Sequence, residues 1–207
     1  MGKLIRKLTP LAGVLAFLLV WEIAVPLFKM PAYLLPPPSA IVLTFIDEFP
    51  KLAFHGWVTL YEMLLGYALA VVIAIPLAIA ITSSERFDRF TMPTLLFFQV
   101  VPKVAIAPLF LVWFGVGALP KVLVAFLISF FPIVIDAAVG LRTMSAEMRD
   151  LARSMGASRW QVFAQFRLPT SLPYLFSGLK VAATLAGAGA VVGEFVGADK
   201  GLGYLLL

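Results

Sequence analysis

Five apolar runs of roughly 20 residues dominate this chain of 207 residues. They cover residues 11–28, 58–81, 94–116, 121–141 and 172–196. A helix needs about 20 apolar residues to cross a hydrocarbon core about 30 Å thick. Because 62% of the residues are hydrophobic and only 13% are charged, a water-soluble globule cannot hide this apolar surface. We therefore predict an all-α, polytopic membrane helix bundle with about five spans.

The basic residues indicate orientation, although a net charge of +5 is also compatible with nucleic-acid binding. Basic residues gather in three segments that this topology places on one side: Lys3, Arg6, Lys7, Arg86, Arg89, Arg142, Arg149, Arg153, Arg159 and Arg167. The opposite segments hold only Lys29, Lys51, Lys121 and Lys200. Cytoplasmic loops of membrane proteins carry such an excess. We expect a cytoplasmic N-terminus, contact with lipid and no nucleic-acid partner.

The residue inventory argues against catalysis by this chain. It has no cysteine and a single histidine, His55, so it offers neither thiolates nor a histidine cluster for a metal. A phosphate-binding loop of the Gly-x-x-x-x-Gly-Lys-Ser/Thr type and a Gly-x-Ser-x-Gly elbow are also missing from the sequence. We predict a non-catalytic membrane subunit without a cofactor.

The chain divides, in this interpretation, into residues 1–57 and 58–207. The first part holds one retained span and a connector with four prolines, Pro31, Pro36, Pro37 and Pro38, which favour extended structure. A short amphipathic helix is expected after that connector, over residues 39–54. The second part holds the remaining spans.

The longest charged segment, residues 144–170, lies between two apolar runs. Apolar residues recur in it at helical spacing: Met144, Met148, Leu151, Ala152 and Met155. Gly156 suits the left-handed turn that ends a helix, and Ser158 followed by Gln161 has the form of a capping box. Leu168-Pro169 should end the second helix. We predict two short helices outside the bilayer, which suit a shaped protein contact or a hairpin resting on lipid headgroups.

The stretch DLARSMGASRWQVFAQFRLPTSLPYLFSGLKVA resembles the Glu-Ala-Ala, then Gly, signature of ATP-binding-cassette (ABC) importer permeases. In that family the loop docks into the cytoplasmic ATPase subunit. The resemblance implies that Asp150, Leu151 and Ala152 hold the signature positions and that Gly156 is its glycine, with Asp150 in place of the usual glutamate and Leu151 in place of the first alanine. It implies this ATPase-coupling set: Glu147, Asp150, Leu151, Ala152, Met155, Gly156, Ala157, Ser158 and Arg159.

Two further stretches, VVPKVAIAPLFLVWFG and VVGEFVGADKGLGYLLL, resemble the subfamily that imports nitrate, sulfonates, taurine and pyrimidine vitamin precursors. The resemblance implies a type I importer permease in a prokaryotic inner or plasma membrane. It further implies a homodimer, a pair of ABC ATPase subunits and an extracytoplasmic solute-binding protein. Members of the family have a sixth span after the Gly-Leu-Gly-Tyr segment, so we expect that the sequence is truncated at its C-terminus.

Charged residues at membrane depth should face protein or water, because they are costly to expose to lipid. Lys103, between Pro102 and Pro108, is a candidate for the translocation pathway, as is Asp136; the two side chains are alternatively paired with each other. Glu22, Glu62 and Glu194, near span ends, are expected to anchor the outer surface or to seat the binding protein.

A stripe of small residues, Gly189, Gly193 and Gly197, allows another helix to approach closely, either from a second subunit or within the same one.

Two other classes of function compete with the permease. An ion-coupled secondary transporter requires repeats and broken helices around a midplane site, and the sequence contains no internal repeat. A structural membrane subunit requires neither ATP nor an ion gradient.

Overall fold

The computed structural model describes residues 2–207, and their side chains from residue 12 onward. The described residues form helices and connecting turns without a strand. They divide into two compact units, Met1–Phe54 and His55–Leu207. Lys3, Arg6 and Lys7, which contribute to the predicted orientation, lie outside the described side chains.

The first unit contains α1 (Gly2–Leu27), α2 (Pro38–Asp47) and the first residues of α3 (Phe49–Ser83). Pro38 begins α2, where its missing N–H costs no helical hydrogen bond. The Glu22 carboxylate accepts hydrogen bonds from the Ser39 backbone N–H at 2.9 Å and from its hydroxyl at 2.7 Å. Glu22 therefore satisfies a free donor at the start of α2 and ties it to α1.

The second unit contains the rest of α3 and most of the apolar helices. These are α4 (Glu85–Val100), α5 (Ala107–Phe114), α6 (Ala118–Leu141), α7 (Ala146–Ser154), α8 (Arg159–Val162) and α9 (Leu168–Gly197). Among the described residues, three helical stretches are long and apolar enough to cross a membrane: Phe49–Ser83, Ala118–Leu141 and Arg159–Gly197. The pair α4 and α5 adds a fourth if it is one broken span, and the apolar part of α1, Ala12–Leu27, is shorter.

The predicted continuous span over residues 94–116 is wrong, because the chain bends by 83° between α4 and α5. Val101 is extended, with ψ of 129°, and a 3-10 turn covers Lys103–Ile106. Pro102 explains the break, since it has no N–H to donate and disfavours helical geometry in the residue before it.

Small residues let α3 and α9 pack closely on α6. On α3, Ala70, Ala74 and Ala78 are fully buried at every fourth position, and a Cβ on Gly66 would lie 2.6 Å from the Ala125 Cβ. On α9, Ala182, Ala186 and Ala190 are buried in the same way. Since lipid supplies no hydrophobic drive between helices, such close backbone packing is what holds spans together.

Candidate functional site

Local hydrogen bonds fix both ends of α7. The Ser145 hydroxyl accepts from the Met148 N–H at 3.2 Å. Hydrogen bonds from its own backbone N–H and from the Ser145 hydroxyl lower the pKa of the Glu147 carboxyl below its usual range. A negative charge in the first turn of a helix is favourable because it faces the positive end of the helix dipole.

The end of α7 confirms the predicted left-handed turn at Gly156, whose φ is +73°. The Ala157 N–H donates to the Ala152 carbonyl at 3.0 Å, and the Gly156 N–H donates to the Arg153 carbonyl at 2.9 Å. These two bonds form a Schellman motif, which satisfies carbonyls that the helix itself leaves free. The predicted capping box is also confirmed, with Ser158 and Gln161 each capping the other's backbone N–H.

The predicted end of the second helix at Leu168-Pro169 is wrong. The helix runs from Arg159 to Gly197 through a π-helical segment, Phe163–Arg167. The Leu168 N–H donates to the Phe163 carbonyl, five residues earlier, and Pro169 lies in the first turn of α9. The wider turn accommodates the proline without breaking the chain of helical residues.

The apolar residues of this loop divide between two environments. Met144 is 5% exposed and Ala152 is 1% exposed, so these two pack inward. Leu151 and Met155 are exposed, and Trp160 on α8 is exposed as well. We call these last three the apolar loop patch. Large exposed apolar side chains in a charged loop that connects long apolar helices suit a contact with another protein.

The remaining members of the predicted coupling set are near the protein surface. Ala157 is half-buried, and the others are exposed: Glu147, Asp150, Gly156, Ser158 and Arg159.

The structure does not bring Lys103 and Asp136 into any ion pair among the described salt bridges. Lys103 Nζ donates to the Gln99 carbonyl at 2.5 Å and lies 4.8 Å from the centre of the Phe131 ring. Asp136 is half-buried on α6. A Cβ added to Gly178 of α9 would lie 2.9 Å from the Asp136 Cβ. Lys103 therefore sits at the α4–α5 bend, while Asp136 packs against α9.

The glycine stripe of α9 lies against neighbouring helices of the same chain. A Cβ on Gly189 would lie 2.9 Å from the Ala125 Cα, and one on Gly193 would lie 2.9 Å from the Lys121 Cα. A Cβ on Gly197 would lie 2.7 Å from a Leu111 methyl group. In the described subunit these glycines permit close packing on α5 and α6.

A buried polar cluster was missed by the sequence analysis. Lys121 Nζ lies 2.7 Å from a Glu62 carboxylate oxygen, and both side chains are about 5% exposed or less. Glu194 is fully buried and its carboxylate accepts from the Thr59 hydroxyl at 2.6 Å. The expectation that Glu62 and Glu194 are surface anchors is therefore wrong, and Lys121 is not a solvent-exposed loop charge.

This buried polar cluster also holds the loop after α9. Three consecutive backbone N–H groups donate to it: Gly201 to His55 Nδ1 at 2.9 Å, Leu202 to the Thr59 hydroxyl at 2.8 Å, and Gly203 to Glu194 at 2.5 Å. The Tyr204 ring stacks on His55 with 5.9 Å between centroids. The separation of these residues along the chain explains why no local pattern revealed them.

A cavity of about 470 Å³ opens beside the cluster. Glu62 and Lys121 line it together with the exposed side chains of Trp57 and Tyr61. Its size lies within the range of small-molecule sites, of the order of 300–1,000 Å³.

Long apolar helices, a broken helix pair and a capped polar loop define an all-helical membrane protein. Residues 70–207 match the family of binding-protein-dependent transport system inner membrane components, and the chain belongs to that family. It is the permease subunit of an ABC importer, an inner-membrane protein with several spans.

Three relatives illustrate this membership. The chain is 38% identical over 205 residues to the formylaminopyrimidine transport permease protein of Halalkalibacterium halodurans, covering 99% of this chain and 82% of the relative. It is 38% identical over 191 residues to the riboflavin transport system permease protein of Chloroflexus aurantiacus, covering 91% and 71%. It is 30% identical over 209 residues to the taurine transport system permease protein of Escherichia coli, covering 97% and 76%.

Proposed function

We propose that residues 144–170 dock onto a separate ABC ATPase subunit and convert its ATP-driven closure into movement of the spans. The observation that carries this proposal is the apolar loop patch of Leu151, Met155 and Trp160. Leu151 and Met155 lie on α7 and its C-cap, where both helix ends are capped, and Trp160 lies on α8, which begins with a capping box. Capping fixes the loop backbone before binding, so little ordering entropy opposes docking.

The coupling set belongs to the same proposal. Glu147, Asp150 and Arg159 supply exposed charges around the patch, and Ala152 lets α7 lie close to its own subunit. Gly156, Ala157 and Ser158 form the turn that sets the angle between α7 and α8. Charged groups at the edge of a contact mainly affect association rate and selectivity, while its apolar centre supplies most of the affinity.

The proposed assembly is a homodimer with one pair of ATPase subunits and an extracytoplasmic solute-binding protein. ATP hydrolysis takes place in the ATPase subunits. The N-terminus of each permease is cytoplasmic, which places the basic coupling loop on the side where positive residues accumulate. Residues 1–57 form the N-terminal span and a proline-rich periplasmic connector, and residues 58–207 form the permease core.

The proposed cargo is a small solute, either a pyrimidine vitamin precursor or an anion such as nitrate, a sulfonate or taurine. Formylaminopyrimidine is the first solute to assay, because the relative named for it is 38% identical over 99% of this chain. Lys103, at the α4–α5 bend, and Asp136, on α6, are proposed to face the translocation pathway, since charged groups at membrane depth avoid lipid.

The docking proposal is tested by co-purification of the ATPase with Gly156→Trp. Gly115→Trp is the matched control: Gly115 also has a positive φ, of +76°, and neither glycine has a neighbour within 4 Å of an added Cβ. We expect Gly156→Trp to lose the ATPase and Gly115→Trp to retain it. Retention by both variants would refute docking at the Gly156 turn.

A further inference from the structure

Arg167 lies in residues 144–170, which we call the coupling loop, and contacts the ends of two spans. Its Nε donates to the Leu141 carbonyl at 3.1 Å, and its Nη2 donates to the Thr82 carbonyl at 3.2 Å. Leu141 is the last residue of α6, and Thr82 is the residue before the last in α3. One half-buried guanidinium therefore bridges two helices that are distant in sequence.

These two carbonyls are suitable acceptors for a cation. The last four carbonyls of a helix have no partner within it, and they carry the negative end of the helix dipole. The guanidinium is planar and presents several N–H donors in fixed directions, so a single side chain can serve both helix ends.

The backbone of Arg167 belongs to the continuous helix that begins at Arg159, directly after the Gly156 turn. Arg159 follows the Ser158 cap, and the helix then passes through the π-helical segment Phe163–Arg167 into α9. All residues from 159 to 167 are helical. A displacement of α8 is therefore carried directly to Arg167, and α7 is joined to this helix through the Gly156 turn.

We propose that Arg167 is a positioning residue that transmits movement of the coupling loop to the inner ends of α3 and α6. The proposal rests on the docking of the ATPase at residues 144–170. Without the guanidinium, α8 would still be displaced by the ATPase, but the ends of α3 and α6 would no longer follow it.

The experiment measures whether the loop and α3 move together. The chain lacks cysteine, so Ser83→Cys and Ser154→Cys, both exposed, introduce one pair of spin labels in each permease subunit. The distance between the labels is measured in the complete transporter with its ATPase, with and without ATP. It is compared between the otherwise unchanged chain, Arg167→Leu and Arg167→Lys.

Arg142→Lys is the control, because Arg142 also bridges two inner helix ends: it follows α6 and pairs with Asp88 of α4. With Arg167 present, we expect ATP to leave the label distance unchanged. We expect no change in Arg142→Lys either, because that variant retains Arg167. In Arg167→Leu the distance should shift with ATP. In Arg167→Lys the shift should be smaller, since an ammonium retains the charge but not the fixed fork of donors.

Three results would overturn the role of Arg167. The first is a response of the label distance to ATP that is the same in Arg167→Leu as in the parent. The second is an ATP-dependent shift of the label distance in Arg142→Lys that is as large as the shift in Arg167→Leu. The third is loss of the ATPase from both Arg167 variants while Arg142→Lys retains it, which would make Arg167 a folding residue. Failure of the ATPase to bind even the parent chain would instead refute the docking proposal.

Discussion

Replacing Lys121 by Met should destabilise the protein more than replacing Glu62 by Gln, although the two side chains are partners. Lys121 is the cation of a buried polar cluster that holds two carboxylates, Glu62 and Glu194. Lys121→Met leaves both carboxylates buried without a cation. After Glu62→Gln, the cluster still holds one buried cation, Lys121, and one buried carboxylate, Glu194.

The magnitude follows from the geometry. Two unit charges 2.7 Å apart attract by about 6 kcal/mol at an effective dielectric constant of about 20. Desolvation offsets much of this attraction, and removing one partner of a buried pair typically costs about 3–5 kcal/mol. We expect Lys121→Met near the upper end of that range and Glu62→Gln near its lower end. The double variant should cost less than the sum of the two single changes.

The assay is the free energy of unfolding in mixed detergent micelles, obtained by denaturant titration. Lys51→Met is the control, since Lys51 and Glu48 form a pair at 3.3 Å in which both side chains are at least half exposed. An exposed pair contributes about 1 kcal/mol or less. A cost for Glu62→Gln equal to that of Lys121→Met, or a cost for Lys121→Met no larger than that of Lys51→Met, would refute the reasoning.

Three further predictions concern backbone geometry, and each is measured by unfolding or by amide hydrogen exchange. Gly201→Ala should destabilise strongly, since φ is +116° and the added Cβ would lie 2.1 Å from the Glu194 Cδ; Gly115→Ala, with open space around it, should cost less, and equal costs would contradict the clash. Gly193→Ala should destabilise the protein, because the added Cβ would lie 2.9 Å from the Lys121 Cα. At Gly187 the added Cβ would meet only the Met63 sulfur, at 3.4 Å, so Gly187→Ala should gain up to about 1 kcal/mol from helix propensity. A gain in stability at both positions would count against close packing at Gly193. Ser145→Ala should cost about 1 kcal/mol and speed exchange in the first turn of α7 alone; unchanged exchange there would exclude the cap.

The sequence predicted best those features that depend on neighbouring residues. The left-handed turn at Gly156 and the capping box of Ser158 and Gln161 are confirmed because both are closed by residues within one turn of helix. The apolar runs likewise predicted the membrane class, since spans need only a length and a composition. The chain's family followed from the same coupling loop.

Features set by tertiary packing were not accessible in this way. Leu168-Pro169 predicts a helix end, whereas the π-helical segment before it accommodates the proline ring. The charge of Glu62 favoured a surface position in the sequence analysis. Its partner Lys121 lies on another helix, and no pattern of neighbouring residues indicates that the two side chains pair. Spacing also could not indicate that α6 of the same chain would cover Gly189 and Gly193.

The most direct test of ATPase docking is site-specific cross-linking from the apolar loop patch. Met155→Cys, labelled with a thiol-directed photo-cross-linker, places the reagent on a side chain that is 74% exposed, and the cysteine-free chain keeps labelling to that site. Val116→Cys, at a residue 77% exposed between α5 and α6, is the matched control. We predict that the assembled transporter gives a permease–ATPase adduct from position 155 and none from position 116. An adduct from position 116 alone, or none from position 155 while the ATPase remains bound, would contradict docking at this loop.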